Sequence, residues 1–381
     1  MTKGCCQLLW DEIAGHKTVC SSLRRAVEQG NVNHAYMFAG PSGVGKFIVA
    51  RTFAASILCS KGDCGACNVC RRVMEEKHPD VTVVRPEGKN IRIETIRSIR
   101  MDAFKKPVES DHKIYIIKNA ERMWEEGAST LLKVIEEPPD NVIFILVTTN
   151  VGGVLPTIRS RCQEIRFSNV PADELKAYLM EKKDISPERA DLVARLTGGV
   201  LGRALDWCDE PWRLTRRDDV IRCAQALRRV DLNQALVLAR ELYRDVRAPT
   251  DELSVAYQDK KSMLTDGTLD GATARRISKE LDDECKREQV KEEIRGVKEL
   301  FSTLAWWYRD ILLYGQGARA ALLINRDLER EIAEEADALS PVNLLKCIEI
   351  LGDSMRAAEQ NVPAQLNIES ALFGLQEALY V

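Results

Sequence analysis

Apolar residues in the first 168 positions form short, mostly uninterrupted runs, and the segments between them have helical periodicity. The runs lie at residues 35–39, 80–84, 114–117 and 142–147. Runs without alternating polar positions are typical of strands that are buried on both faces of a parallel sheet. Because strands and helices alternate, residues 1–168 are predicted to form one α/β domain with a parallel sheet.

Strand signals fade after residue 168, and helical patterns continue along the rest of the chain. Ser186 and Pro187 suit the N-cap and the first position of a helix. We therefore predict a small helical domain over residues 169–209 and an all-α domain over residues 210–381. The polar segment 248–271, which contains two Asp-Gly pairs, predicts a loop inside the last domain.

Length and composition indicate a globular protein of several domains. The chain has 381 residues, of which 45% are apolar and 30% are charged. No run of about 18 uncharged apolar residues occurs, so we predict no membrane span. The first residues lack the apolar segment of a secretory signal, so we expect a cytoplasmic protein. The net charge is −3, and the acidic excess lies in the second half of the chain. The first half is mildly basic, which permits contacts with phosphate groups.

A glycine-rich segment of the form G-x-x-x-x-G-K follows the first apolar run. Its key residues are Gly40, Gly43, Gly45 and Lys46. Between a strand and a helix this pattern indicates a phosphate-binding loop, because the glycines let backbone N–H groups turn toward phosphates at the N-terminus of the helix. We predict that these four residues line a nucleotide-binding loop.

Three substitutions remove the chemistry that such a loop normally supports. Phe47 replaces the Ser or Thr whose hydroxyl binds Mg²⁺. At the end of a later strand, Lys118 stands where a metal-binding Asp is expected, and Asn119 stands where a water-activating Glu is expected. We therefore predict no intrinsic ATPase activity. Two outcomes stay open: the loop holds a nucleotide without metal, or the Phe47 ring fills the pocket.

Four of the twelve cysteines, Cys59, Cys64, Cys67 and Cys70, are clustered in the sequence. In a reducing compartment this spacing indicates a closed four-thiolate zinc site rather than disulfides. Four thiolates leave no open coordination position, so we expect one structural zinc ion. An iron–sulfur cluster and unligated thiols are the alternatives.

Several segments resemble the AAA+ clamp-loader subunits of bacterial DNA polymerase III. They are residues 33–46, 131–139, 148–150 and 158–162, the last of which contains the Ser-Arg-Cys signature of those subunits. The resemblance implies a AAA+ module with a zinc module at about residues 59–70, a helical lid and an all-α collar domain for oligomerisation. Within this family, the degraded phosphate loop is similar to the non-hydrolysing delta-prime class rather than to the ATP-hydrolysing gamma/tau class.

The resemblance also implies residue roles and partners. The arginine of Ser-Arg-Cys reaches the ATP of a neighbouring subunit in this family, which makes Arg161 a catalytic arginine finger in trans; the alternative is a surface arginine in a salt bridge. Thr148, Thr149 and Asn150 match the sensor-1 position, with a structural capping role as the alternative. Gly202 stands where the sensor-2 arginine is expected, and Arg203 follows one residue later. The implied partners are gamma/tau and delta subunits in a hetero-oligomeric ring and, through the complex, the sliding clamp and primed DNA.

Two other functions stay open from the sequence. The first is an ATP-hydrolysing gamma/tau-like motor subunit whose catalytic acid is Glu121, Glu136 or Glu137. The second is a zinc-containing nucleic-acid-binding protein, which would place aromatic and basic side chains together around the cysteines. No aromatic residue occurs between positions 58 and 84, which argues against the second.

Overall fold

The computed structural model describes residues 9–61, 64–86, 88, 90–265, 271–360 and 362–380. The chain divides into two compact units, Met1–Asp209 and Glu210–Val381. Every strand among the described residues belongs to the first unit, and the second unit is helical. A further division of the first unit at residue 168 stays a prediction.

The first unit is built on a five-stranded parallel sheet. Its strands are β1 (Ala35–Ala39), β2 (Val81–Val84), β3 (Lys113–Lys118), β4 (Val142–Thr148) and β5 (Gln163–Arg166). Their order across the sheet is β2-β3-β4-β1-β5. Along β1, Tyr36 and Phe38 pack into the core on one face, whereas Ala35 and Met37 pack into the core on the other. The four predicted strands are confirmed, and β5 was missed because it is a polar, partly exposed edge strand.

Nine α-helices of the described residues accompany this sheet. They are α1 (Lys17–Glu28), α2 (Lys46–Leu58), α3 (Asn68–Met74), α4 (Ile93–Ala103), α5 (Glu125–Glu136), α6 (Pro156–Arg159), α7 (Ala172–Lys183), α8 (Pro187–Leu196) and α9 (Leu201–Asp209). The predicted start of α8 is confirmed, because the Ser186 side chain accepts a hydrogen bond from the backbone N–H of Arg189. The α/β fold class expected from the sequence is therefore confirmed.

The second unit is a bundle of long helices around one apolar core. They are α10 (Trp212–Leu227), α11 (Leu232–Thr265), α12 (Gly271–Gly315), α13 (Glu329–Ala338), α14 (Pro341–Glu359) and α15 (Ala364–Tyr380). Trp307 is buried in this core. No helix within the described ranges is both long and apolar enough to cross a membrane.

The loop predicted at residues 248–271 is wrong over the part that the structure describes. Helix α11 continues through Pro249 to Thr265, and residues 266–270 lie outside the described residues. Polar cross-helix contacts hold α11 against α12: Lys261 Nζ lies 2.9 Å from the Asp282 carboxylate, and Gln289 Nε2 lies 2.5 Å from Ser254 Oγ. The sequence was misleading because a helix pair that packs through polar contacts lacks the apolar periodicity used to recognise helices.

A buried carboxylate organises a turn within the second unit. Asp310 on α12 is fully buried and accepts hydrogen bonds from the backbone N–H groups of Ile324 and Asn325 at 3.0 and 2.8 Å. The Asn325 side chain also donates to it at 2.9 Å and accepts from Arg217 at 2.8 Å. Since buried polar groups destabilise a fold unless they are paired, the members of this network depend on one another.

We expect Asp310→Ala to lower the free energy of unfolding of the second unit by about 3 kcal/mol or more, because two backbone N–H groups would be left buried without an acceptor. Guanidinium denaturation followed by circular dichroism measures this change. The matched control is Asp353→Ala, since Asp353 is 64% exposed and its ion pair is with Arg356 on its own helix. Equal midpoints for the two variants would contradict the role of the buried network.

Candidate functional site

The phosphate loop connects β1 to α2 in a conformation that requires glycine. Gly45 is the N-cap of α2 with φ 102°, in the left-handed region that L side chains rarely adopt. A Cβ atom at Gly40 would lie 2.3 Å from the carbonyl oxygen of Phe167, because β5 passes directly beside the loop. The predicted loop residues are thus placed together at the carboxyl end of the sheet, where ligands bind in open α/β folds.

The carbonyl groups of the loop are bonded within the protein. Lys46 Nζ donates to the carbonyl oxygens of Gly40 at 2.6 Å and Pro41 at 2.5 Å. The backbone N–H of Gly202 donates to the Gly43 carbonyl at 3.0 Å, so the sensor-2 position lies against the loop itself. Burial lowers the pKa of Lys46 to about 8, and the charge of Glu121 opposes this shift. The Lys46 ammonium group therefore lies within the loop and loses its proton more readily than an ordinary lysine does.

A cluster of cations surrounds Phe47, at the position where a magnesium ligand is expected. The Nζ atom of Lys118 lies 4.2 Å from the centre of the Phe47 ring, and the guanidinium carbons of Arg51 and Arg85 lie 4.8 and 5.6 Å from it. Burial, together with the charges of Arg85 and Arg51, lowers the pKa of Lys118. An aromatic face attracts these cations. Glu76 pairs with Arg51 at 3.6 Å and with Arg85, so it offsets part of their charge, but the three cations outnumber this one carboxylate and disfavour a divalent ion. This corner of the site therefore offers Mg²⁺ no side-chain ligand from Phe47 or Lys118.

Glu121 is the acidic residue whose charge acts on Lys46, and its oxygens are already engaged in hydrogen bonds. It accepts hydrogen bonds from the hydroxyl groups of Thr148 at 2.8 Å and Thr149 at 2.7 Å. Burial alone would raise the pKa of Glu121, but the hydrogen bonds from these two threonines lower it. The carboxylate is therefore ionised and held in place, and the threonines at the sensor-1 position cap it.

The loop, Lys118 and the sensor-1 threonines enclose a cavity of about 370 Å³. Its lining residues are Ser42, Gly43, Gly45, Lys46, Phe47, Ile48, Arg51, Lys118, Asn119, Val147, Thr148 and Thr149. Three of them are basic and none is acidic. The sequence predicted Lys46 and Lys118 but missed Arg51, although Arg51 lies four residues after Phe47 and hence on the same face of α2.

The four clustered cysteines converge on one point between α2 and α3. Their sulfur atoms all lie within 4.8 Å of one another, and three of the pairs are separated by 3.7 to 3.9 Å. Thiolates placed tetrahedrally around one ion at about 2.3 Å would be about 3.8 Å apart. A multi-iron cluster needs its ligands further apart than a single ion does. The geometry therefore fits one metal ion, and the four thiolates would form a closed shell around it.

The cysteine module is connected to two other parts of the first unit. On α3, the Arg72 guanidinium donates to the Glu109 carboxylate at 2.6 and 3.3 Å, which ties the module to the loop after α4. The carbonyl group of Met74, at the C-terminal end of α3, accepts a hydrogen bond from Arg51 at 2.6 Å. Arg51 therefore links the module to the cation cluster around Phe47.

Arg161 lies apart from the loop cavity, beyond α6. Its guanidinium group lies 2.7 Å from a carboxylate oxygen of Glu136, the last residue of α5, and donates to the Thr157 carbonyl at 3.1 Å. About 40% of each side chain of this ion pair is exposed. Burial raises the pKa of the neighbouring Cys162 to about 12, which makes that thiol a packing group rather than a nucleophile. The Arg161 side chain is thus partly exposed at the surface, beside a Cys162 thiol that packs against the protein.

Comparison with known proteins supports the resemblance over the first half of the chain. Residues 15–171 match the family model described as DNA polymerase III, delta subunit. The DNA polymerase III subunit delta′ of Bacillus subtilis is 35% identical over 185 residues, which cover 48% of this chain and 56% of that protein. The gamma/tau subunit of Mycobacterium bovis is also 35% identical, over 49% of this chain and 34% of that protein. The resemblance to DNA polymerase III clamp-loader subunits is confirmed for this region.

Among solved structures, a gamma subunit-related protein of DNA polymerase III from Thermotoga maritima aligns over 94% of this chain with a TM-score of 0.47 and 18% identity. The clamp loader delta protein of Bacillus subtilis aligns over 94% of this chain with a TM-score of 0.34 and 13% identity. In sequence, the chain spans about half the length of the Bacillus relative and a third of the Mycobacterium relative.

Proposed function

We propose that this chain, whose residues 15–171 match the DNA polymerase III delta-subunit family, is a non-hydrolysing, delta-prime-like subunit of a clamp loader. The observation that carries the proposal is the cation cluster around Phe47, where a working subunit would hold Mg²⁺. Phosphoryl transfer depends on charge neutralisation and positioning by the metal. A subunit that repels the metal contributes to the complex through its shape and through groups that act on neighbouring subunits.

In this proposal, Arg161 is the group that acts in trans. Its ion pair with Glu136 is exposed, and such pairs contribute only about 0–1 kcal/mol, so the guanidinium is easily transferred to a stronger anion. The γ-phosphate of ATP on a neighbouring subunit is such an anion. A bidentate guanidinium would neutralise the charge that develops there during hydrolysis.

The proposed partners are the gamma/tau and delta subunits of a hetero-oligomeric ring, in which the second unit would form part of a helical collar. The sliding clamp and primed DNA would be engaged through the assembled ring in the cytoplasm. A gamma/tau-like motor is the second candidate, because the Mycobacterium gamma/tau subunit is as similar in identity as the delta′ relative. The engaged oxygens of Glu121 disfavour it, since this acid cannot activate water without releasing Thr148 and Thr149.

We expect Arg161→Ala to reduce the DNA-stimulated ATPase rate of the reconstituted clamp loader by at least about tenfold, because arginine fingers contribute about 10³–10⁵ in rate in related systems and other subunits would retain theirs. Assembly, measured by size-exclusion chromatography, should be unchanged. Arg166→Ala is the matched control, since that arginine is 85% exposed and its ion pair is with Glu164, two residues away on the same strand. Unchanged turnover in Arg161→Ala complexes would refute the role in trans.

We further propose that the cysteine module holds one structural zinc ion. Native mass spectrometry of the purified chain should show one zinc per chain, and Cys64→Ser should lose it because three thiolates bind the ion more weakly. Cys285→Ser is the control, since Cys285 lies on α12 outside the module. An iron-containing, brown preparation, or full zinc content in Cys64→Ser, would contradict this assignment.

A further inference from the structure

We infer that a groove on the second unit is a docking site for a short amphipathic helix of a partner protein, with apolar side chains on one face and lysine or arginine beside them. The groove lies between the start of α11 and the last turns of α15 and has a volume of about 890 Å³. It shares no residue with the phosphate loop, the cysteine module or Arg161. The inference therefore goes beyond the proposed function and does not depend on it.

The walls of the groove are apolar side chains that the fold leaves partly uncovered. Leu232, the first residue of α11, is 64% exposed, and Tyr380, the last residue of α15, is 61% exposed. Phe373 on α15 also lines the groove and packs only partly against the core of the second unit. Apolar side chains grouped in this way mark interaction sites on soluble proteins, because covering them removes apolar surface from water.

The charged groups of the groove are acidic, and none of its lining residues is basic. Glu377 is exposed in the last turn of α15, and no ion pair with it occurs among the described residues. That turn contains no basic residue to offset the negative end of the helix dipole. Asp231 is the second carboxylate, but its charge is partly offset because it caps α11 and accepts a hydrogen bond from the N–H of Gln234 at 2.8 Å. Glu377 is therefore the main uncompensated charge of the groove.

A buried amide adds to this negative potential. Gln376 lines the groove and is 3% exposed, and its Nε2 atom donates to the Val230 carbonyl at 2.6 Å. The same carbonyl accepts a hydrogen bond from the Tyr380 hydroxyl group at 3.0 Å. The Oε1 atom of Gln376 has no donor in the described part of the chain, although buried acceptors are generally paired. The partial negative charge of this oxygen therefore also favours a cation in the groove.

The basic residues that flank the groove in sequence do not compensate it. Arg228 lies 3.4 Å from the Glu335 carboxylate, and Arg229 is exposed outside the lining of the groove. On α11, Arg240 lies 4.0 Å from the Glu369 carboxylate and is likewise outside the lining. A ligand with its own cation would therefore complement the charge of the groove as well as its apolar surface.

The dimensions and surroundings of the groove favour a helix as the ligand. Its lining residues on α15 span positions 370–380, which is about 15 Å at the helical rise, or roughly three helical turns. An extended peptide commonly pairs with a free strand edge, and no strand occurs in the described part of the second unit. Amphipathic helices dock in grooves through apolar side chains spaced three or four residues apart. A lysine or arginine beside such side chains would meet Glu377.

The test is fluorescence anisotropy of the full chain with a labelled designed helix of about 14 residues, which has leucine on one face and lysine on the other. It should bind with a Kd of about 10–100 μM. The same peptide with glutamate in place of lysine should bind at least about tenfold more weakly, because Glu377 and Asp231 repel it. Equal binding of the two peptides, or no binding of the leucine–lysine peptide at about 1 mM, would overturn the inference.

Variants separate the groove from general charge attraction. Glu377→Lys should weaken binding of the leucine–lysine peptide by about tenfold or more, and Leu232→Ser should weaken it by about threefold or more. The matched control is Glu252→Lys, which should leave binding unchanged, since Glu252 is exposed about 30 Å from Leu232 along α11. If Glu377→Lys does not fold, as judged by circular dichroism, Glu377→Gln should weaken binding by about threefold. An equal loss in Glu252→Lys would overturn the assignment to the groove.

Two other occupants of the groove have their own results. 3-Phenylpropylamine that binds as tightly as the leucine–lysine peptide would identify a site for small organic cations. Reversible self-association in analytical ultracentrifugation that is lost in Glu377→Lys would identify a second copy of this chain. Either result would overturn the assignment to a partner helix. None of these measurements involves ATP or the clamp-loader complex, so the Arg161 experiment tests the proposed function separately.

Discussion

The ammonium group of Lys118 against the Phe47 ring is the interaction on which the properties of the nucleotide pocket depend. Lys118 ends β3, where the sheet directs a side chain toward the phosphate loop, and Phe47 lies in the first turn of α2. Their contact at 4.2 Å brings a fixed positive charge to the position where the fold normally concentrates carboxylate and hydroxyl oxygens. The backbone of the loop is retained, but a positive charge stands at the position where the fold normally places metal-binding oxygens.

The surroundings of this pair make the reversal stable. The Arg51 guanidinium group also lies against the Phe47 ring, 4.8 Å from its centre. It donates a hydrogen bond to the carbonyl group at the end of α3 and lies 3.6 Å from the Glu76 carboxylate. The cysteine module therefore helps to support the pocket. Helix α3 begins directly after Cys67 of the module, and the carbonyl group of its last residue, Met74, accepts a hydrogen bond from Arg51. A structural metal ion would fix the start of α3, and through Arg51 it would also fix one wall of the pocket. Second-sphere support of this kind commonly decides how precisely a site is held.

The sequence predicted the parts of the first unit whose physical signals are local. The buried strands, the phosphate loop and the lost metal ligands could all be identified from short runs of residues and their order. The contact of Lys118 with Phe47 could not, because it joins residues that are far apart in sequence and depends on the register of β3. The engagement of Glu121 by Thr148 and Thr149 was missed for the same reason. In the second unit, the helical course of residues 248–265 was missed because polar cross-helix pairs replace the apolar stripe.

The most direct test of the account is ATP hydrolysis by the purified chain at saturating Mg-ATP, with and without primed DNA, beside Lys46→Ala as the background control. The account predicts that the natural chain and the Lys46→Ala variant show the same residual rate, because neither retains Mg²⁺ at the loop. Turnover that is stimulated by primed DNA and lost in Lys46→Ala would contradict it. Such a result would identify a motor subunit whose metal is held by groups other than those at Phe47 and Lys118.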